Sequence, residues 1–181
     1  MSTLVKATIE DLYKAPEKAE LVDGEVVLMS PTGWMPIRAS GNIFRSLGNY
    51  EDAVGGGYAV PDNAGFIVDL PNRSSFSPDA AWFTGQGTGM KFLEGAPVFA
   101  VEVRSENDYG AKAERDMKAK RDDYFAAGTQ VVWDVDLLSE DVVRVYRADN
   151  PDQPVIYRRG QIADAEPAVH GWTMSVDDLF K

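Results

Sequence analysis

Apolar residues recur along the chain with two different periods. Over residues 37–50, Ile43, Phe44, Leu47 and Tyr50 follow a spacing of three and four, which predicts a helix with one buried face. Residues 111–127 predict a second helix, ended by Gly128. Runs rich in β-branched and aromatic residues at 58–60, 66–70, 79–83, 130–135 and 142–146 predict strands, several of them separated by turns rich in Asp, Asn and Pro. Residues 97–103 are almost wholly apolar, as a central strand covered on both faces would be. Residues 155–157 read as an edge strand. Residues 20–29 read as a hairpin turning at Asp23-Gly24, the dipeptide that accepts the left-handed backbone of a two-residue turn. Thr8 caps a short helix over 8–13, and a last helical turn falls at 176–180. The order of helix, strands, helix, strand and strand predicts an α/β (α+β) fold, a mixed sheet with helices packed on it and no βα repeat.

A length of 181 residues is that of one domain spanning 1–181. The chain contains no cysteine, which removes disulfides, thiolate metal sites and cysteine nucleophiles from consideration. Residues 1–20 contain no apolar run suited to a signal peptide. No stretch reaches the roughly 18 apolar residues of a membrane span, so the expectation is a soluble, cytoplasmic protein. The net charge of -11 argues against broad, non-specific binding to nucleic acid, which rests on Lys and Arg facing phosphates. A local basic groove is compatible with it, because a field follows the placement of charge as well as its sum.

Two polar residues interrupt the apolar pattern, and a third opens a strand. In the strand over 97–103, Val98, Ala100, Glu102 and Arg104 share one face. Glu102 thus continues an apolar row, and a buried carboxylate needs a cation, a hydrogen-bond donor or a metal. In the helix over 111–127, Ala113, Met117, Lys120, Tyr124 and Ala127 form one stripe. Lys120 either snorkels to solvent with its stem buried or points at Glu102. Asp79 opens the strand at 79–83 and shares a face with Ala81 and Phe83. If that strand lies beside the central one, Asp79 and Glu102 converge. Two carboxylates with a backbone carbonyl make a hard oxygen site suited to Mg²⁺ or Mn²⁺, and a lysine beside it stabilises charge developing on a phosphoryl group. His170, the lone histidine, lies in a turn and reads as a surface residue. Gly85, Gly87 and Gly89 follow a strand but lack the Lys-Ser/Thr ending of a phosphate loop, and read as a mobile loop.

The ordered set of Glu20-Leu21-Val22-Asp23-Gly24-Glu25, Met29-Ser30-Pro31, Pro78-Asp79, Val101-Glu102-Val103-Arg104-Ser105, Lys120-Arg121-Asp122-Asp123-Tyr124 with Gly128, and Val132-Trp133 with Asp136 resembles the Uma-type restriction-endonuclease-like family. That family belongs to the PD-(D/E)XK nuclease superfamily. The likeness runs to Gly171-Trp172 and Leu179-Phe180. It implies a restriction-endonuclease-like core, a mixed β-sheet flanked by helices, here with an N-terminal β-hairpin extension. It implies Asp79 and Glu102 as ligands of Mg²⁺ or Mn²⁺, Lys120 as the catalytic lysine, and nucleic acid, with DNA favoured, as partner. The superfamily's usual lysine position, two residues after the acid, is Arg104 here, and the lysine of the Uma-type group matches Lys120 on the following helix. Glu20 matches another recurrent acidic position. Pro36 stands where many relatives carry histidine, and Asp134 where they carry an apolar residue.

Three functions are compatible with these features. The first is a metal-dependent nuclease. The second is a non-enzymatic module in which the same residues form a buried ion-paired cluster. The third is a hydrolase of small phosphorylated molecules. Exposed edge strands are also compatible with a homodimer.

Overall fold

A computed structural model describes residues 5–181, so the first four residues of the N-terminal stretch read above lie outside it. Helix α1 (Ile9–Tyr13) carries a capping box: Asp11 N–H donates to Thr8 Oγ1, and Thr8 N–H donates to the Asp11 carboxylate. Strands β1 (Ala19–Val22) and β2 (Glu25–Leu28) form the expected hairpin. Its turn residues Asp23 (φ 51°) and Gly24 (φ 78°) are both left-handed, as a two-residue turn between twisted strands requires.

Helix α2 (Trp34–Val54) is longer than the apolar pattern implies. It starts at Trp34 because Pro36 falls in the first turn, where a missing N–H costs nothing. Its buried stripe is Ala39, Ile43 and Leu47. Strands β3 (Tyr58–Val60), β4 (Phe66–Ile67), β5 (Ser75–Phe76), β6 (Ala80–Phe83), β7 (Leu93–Glu94) and β8 (Phe99–Val103) follow. Helix α3 (Ala111–Ala126) leads to β9 (Val131–Val135), β10 (Val143–Arg147), β11 (Asn150–Tyr157), β12 (Ile162–Asp164) and β13 (Thr173–Ser175). A 3-10 turn, Val176–Phe180, closes the chain.

Six strands make the main sheet in the order β11-β10-β9-β8-β6-β3. Within this sheet, among the described residues, only β8 and β9 run parallel, joined by α3 as the crossover that a parallel pair requires. Alternation along β8 divides its residues cleanly. Phe99, Val101 and Val103 face a core shared with Ile43, Leu47, Trp133 and Trp172. Ala100 faces the opposite side, against Phe66, Phe76, Tyr124 and Val132. Phe66 and Phe76 are fully buried there, each contributing about 2–3 kcal/mol of apolar burial.

The short strands β5, β4 and β7 form a separate three-stranded sheet on the α3 side. The hairpin docks on its neighbouring chain. Ser74 N–H donates to Leu21 O (2.9 Å), Asp23 N–H to Asn72 O (2.7 Å) and Leu21 N–H to Ser75 Oγ (2.8 Å). This docking carries β1 toward the face of the main sheet that α3 covers.

Candidate active site

Two strands set the position of the acidic pair. Strands β6 and β8 are antiparallel with Ala80 opposite Val101 and Ala81 opposite Ala100. Continuing that register by one residue brings Asp79 opposite Glu102, on the face toward α3. The ladder ends there in a fork. Asp79 N–H still donates to Val101 O (2.9 Å), but Val103 N–H donates to Asp79 Oδ2 (2.7 Å) instead of to a carbonyl. A side chain thus takes the place of backbone, and Asp79 is fixed beside Glu102.

On the other side of Glu102, β9 places Asp134 opposite it in parallel register. The apolar pair Ala100 and Val132 is followed, toward the carboxyl ends of the strands, by the acidic pair Glu102 and Asp134. Arg104, on the same face as Glu102, gives its guanidinium to Asp134 in a two-pronged pair (2.8 and 2.7 Å) and to Glu114 on α3. It neutralises Asp134 and leaves Glu102 to other partners.

Those partners come from α3. Lys120 Nζ lies 2.8 Å from Glu102 Oε1 and 2.9 Å from Glu20 Oε1. The side chain is only 16% exposed and turns inward, so the snorkelling alternative does not hold. One helical turn on, the Tyr124 hydroxyl donates to the same Glu102 Oε1 at 2.6 Å. The Tyr124 ring is fully buried and stacked on Phe76, with centroids 4.0 Å apart. Oε2 of Glu102 takes part in none of the hydrogen bonds among the described residues, and the Glu102 side chain is 25% exposed.

Glu20 is the buried anchor. It accepts from Ser77 N–H (2.8 Å), Lys120 and Arg73 Nη1 (2.7 Å). Arg73 continues to Asp123 on α3 (2.8 Å), so the hairpin, the β5 segment and α3 meet through one ionic chain. Lys18 brings a second ammonium into the site, 2.6 Å from Asp62 Oδ1 and 2.9 Å from Asp79 Oδ1.

Burial pushes the Glu102 carboxyl up, Asp79 and Glu20 add to this, and Lys120 opposes it; the result is about 7. Burial would also raise Glu20, but Lys120 and Arg73 hold it below its ordinary value. Burial would lower Lys120, but Glu102 and Glu20 keep its ammonium charged. The Tyr124 hydroxyl, raised by burial and by Glu102, remains a donor.

These groups border a cleft of about 850 Å³ beyond the carboxyl ends of the parallel strands. Asp79, Glu102, Lys120, Glu20 and Arg104, all expected from the sequence, line it together. His170 does not: it is 94% exposed at the surface, where its ring faces Glu166. Pattern reading missed Lys18, Asp62, Arg73 and the role of Tyr124. Lys18 had a signal, since it stands two residues before Glu20 and alternation gives both one face. Tyr124 stood in the α3 stripe but read as apolar filling. Asp62 and Arg73 lie in loops and have no periodicity to betray them.

Among the described residues there is no group of three or more His, Asp or Glu able to hold a metal. Asp79 and Glu102 nevertheless fit the mode in which Mg²⁺ takes one or two carboxylates and completes its shell with water and substrate oxygens.

The model of a family described as "Putative restriction endonuclease" matches residues 7–177. A solved structure of a protein from Anabaena variabilis, described as a "putative nuclease belonging to DUF820", superposes with a TM-score of 0.74. It is 17% identical, with 96% of this chain and 97% of that one covered, a likeness of fold. No curated protein matches the sequence. The order of its motifs, the mixed sheet flanked by helices and the family match over residues 7–177 agree, and the chain belongs to the Uma2 family.

Proposed function

We propose that the protein is a metal-dependent phosphodiester hydrolase of the PD-(D/E)XK type, cytoplasmic, with nucleic acid, DNA foremost, as substrate. The observation that carries this reading is the meeting of Asp79, Glu102 and Lys120 in one cleft at the carboxyl ends of parallel strands. Asp79 and Glu102 would hold Mg²⁺ or Mn²⁺. When bound, such an ion polarises a phosphoryl oxygen and makes water acidic enough to attack at neutral pH. Lys120 presents a fixed positive charge to the phosphoryl group as negative charge develops, and Glu20 keeps that ammonium aimed. Tyr124 and Lys120 hold one oxygen of Glu102, and no hydrogen bond among the described residues engages the other.

The test is cleavage of supercoiled DNA, linear DNA and RNA with Mg²⁺ or Mn²⁺, beside the variants Glu102→Ala and Lys120→Met. Metal-dependent cleavage that falls by about 10²–10³-fold in either variant is expected. Wild-type protein that binds no Mn²⁺ and cuts none of these polymers would refute the reading.

A second reading keeps the fold as a non-enzymatic binding module. It is favoured by the pairing of Asp79 with Lys18 and of Glu102 with Lys120, which leaves the acidic pair neutralised from within. Under that reading Glu102→Ala alters neither metal binding nor any cleavage.

A further inference from the structure

Lys18 lies just before β1, and its ammonium enters the cleft beside the acidic pair. The side chain is 15% exposed. Asp79 Oδ2 is tied to the sheet through Val103 N–H, so Lys18 holds the remaining oxygen, Oδ1, at 2.9 Å. A divalent ion and an ammonium ask the same thing of a carboxylate, a lone pair at hydrogen-bond or coordination distance. Both cannot hold Asp79 Oδ1 at full strength, because two positive charges would then share one small volume.

The two lysines of the site differ in what lies behind them. Lys120 is anchored between Glu20 and Glu102, one of which is a ligand candidate. Lys18 has a partner outside the ligand pair, Asp62, whose Oδ1 is closer still at 2.6 Å. Asp62 also accepts from Asn63 N–H (2.7 Å), which fixes its carboxylate in the loop after β3. An ammonium released from Asp79 therefore keeps an ion pair and needs no new one.

We propose that Lys18 is a built-in competitor for the cation site. It neutralises Asp79 in the metal-free protein and withdraws onto Asp62 when a divalent ion takes Asp79 and Glu102. This rests on the reading of Asp79 and Glu102 as cation ligands. It makes metal affinity a property of four side chains, of which only two touch the ion.

The test is calorimetric titration of the full chain with Mn²⁺ alone, with no nucleic acid. The variants are Lys18→Met, Asp62→Asn and the two combined. Lys18→Met is expected to bind Mn²⁺ roughly tenfold more tightly, since one opposing charge is gone from the site. Asp62→Asn is expected to bind several-fold more weakly, because Lys18 then has only Asp79. In the Lys18→Met background, Asp62→Asn is expected to change nothing, the coupling that a double-mutant cycle isolates. An equal loss from Asp62→Asn in both backgrounds would mean long-range charge only and would overturn the proposal. Mn²⁺ binding to wild type that Lys18→Met leaves unchanged would overturn it too, with Asp79 and Glu102 still standing as ligands. Absence of Mn²⁺ binding in every variant would remove the ligand reading and this proposal together. Circular dichroism checks folding. If Lys18→Met is unfolded, Lys18→Gln replaces it, and Asp62→Asn in the wild-type background reads the proposal alone, with unchanged affinity overturning it.

Discussion

Glu102 is asked to be two things at the residue scale, an acceptor for Lys120 and Tyr124 and a carboxylate facing open cleft. Its folded value of about 7 stands above the ordinary 4.5, chiefly through burial. A carboxyl raised in this way holds its proton more tightly when folded. Its contribution to stability is whole below pH 4.5 and is lost as pH rises through about 7. Glu20, held low, works with the opposite sign below its ordinary value and so outside this window. With chelator present, the stability of wild type minus that of Glu102→Gln is therefore expected to fall between pH 4.5 and 7. Urea unfolding across that range measures it, and a difference that stays flat or rises would contradict the assignment. Glu102 and Lys120 were legible because each broke an apolar pattern. Asp79 had no such contrast, since a Pro-Asp pair is usually a turn, and only the ordered set of motifs singled it out. Tyr124 was hidden because an aromatic in an apolar stripe looks like core, and its hydroxyl shows its use only when Glu102 is placed beneath it.

At the scale of elements, the site is a junction of the hairpin, the fork between β6 and β8, and α3. The sequence gives Lys120 a single candidate acceptor, Glu102. The fold gives it two, because the hairpin brings Glu20 against α3. Glu102→Ala leaves Lys120 paired with Glu20, and its expected cost is about 1.5–3 kcal/mol, the scale of a hydrogen bond to a charged group. Glu20→Ala removes the shared acceptor of Lys120, Arg73 and Ser77 N–H, and its expected cost is about 3–5 kcal/mol, as for a broken buried ion pair. Thermal or urea unfolding of both variants decides the order, and a costlier Glu102→Ala would show that the hairpin anchor is misjudged. The long elements were legible from their periods and caps. Strand β4 falls inside the run at 66–70, but the two-residue strands β5 and β7 were not legible, because at that length they exist through their neighbours' hydrogen bonds and carry no alternation of their own.

Across the whole molecule, charge sets what the cleft can do without help. The protein carries a net charge of -11, and the lysines and arginines in the cleft are paired with carboxylates. Counterion release, the main source of non-specific affinity for DNA, therefore has little to act on. In the presence of chelator the protein is expected to bind duplex DNA no more tightly than about 10⁻⁴ M, the weak end of non-specific binding, with a shallow dependence on salt. Fluorescence anisotropy at two salt concentrations checks this, and tight, steeply salt-dependent binding would mean that a basic surface elsewhere dominates. No helix of the described residues is long and apolar enough to cross a membrane. The mixed sheet and its flanking helices were legible in outline. The sheet order was not, because pairing β6 beside β8 depends on contacts that no local pattern records.

The pairing of Lys120 with Glu20 joins residues 100 positions apart. During synthesis the hairpin leaves the ribosome early and its acceptor waits for α3. At about 5–20 residues per second the delay is roughly 5–20 s, during which Glu20 can find only Arg73 and Ser77 N–H among its partners. The cleft is thus completed only once α3 has been made. A truncated product that stops before α3 would carry Asp79 and Glu102 without Lys120 and Tyr124, so premature termination would release a fragment whose cleft is incomplete.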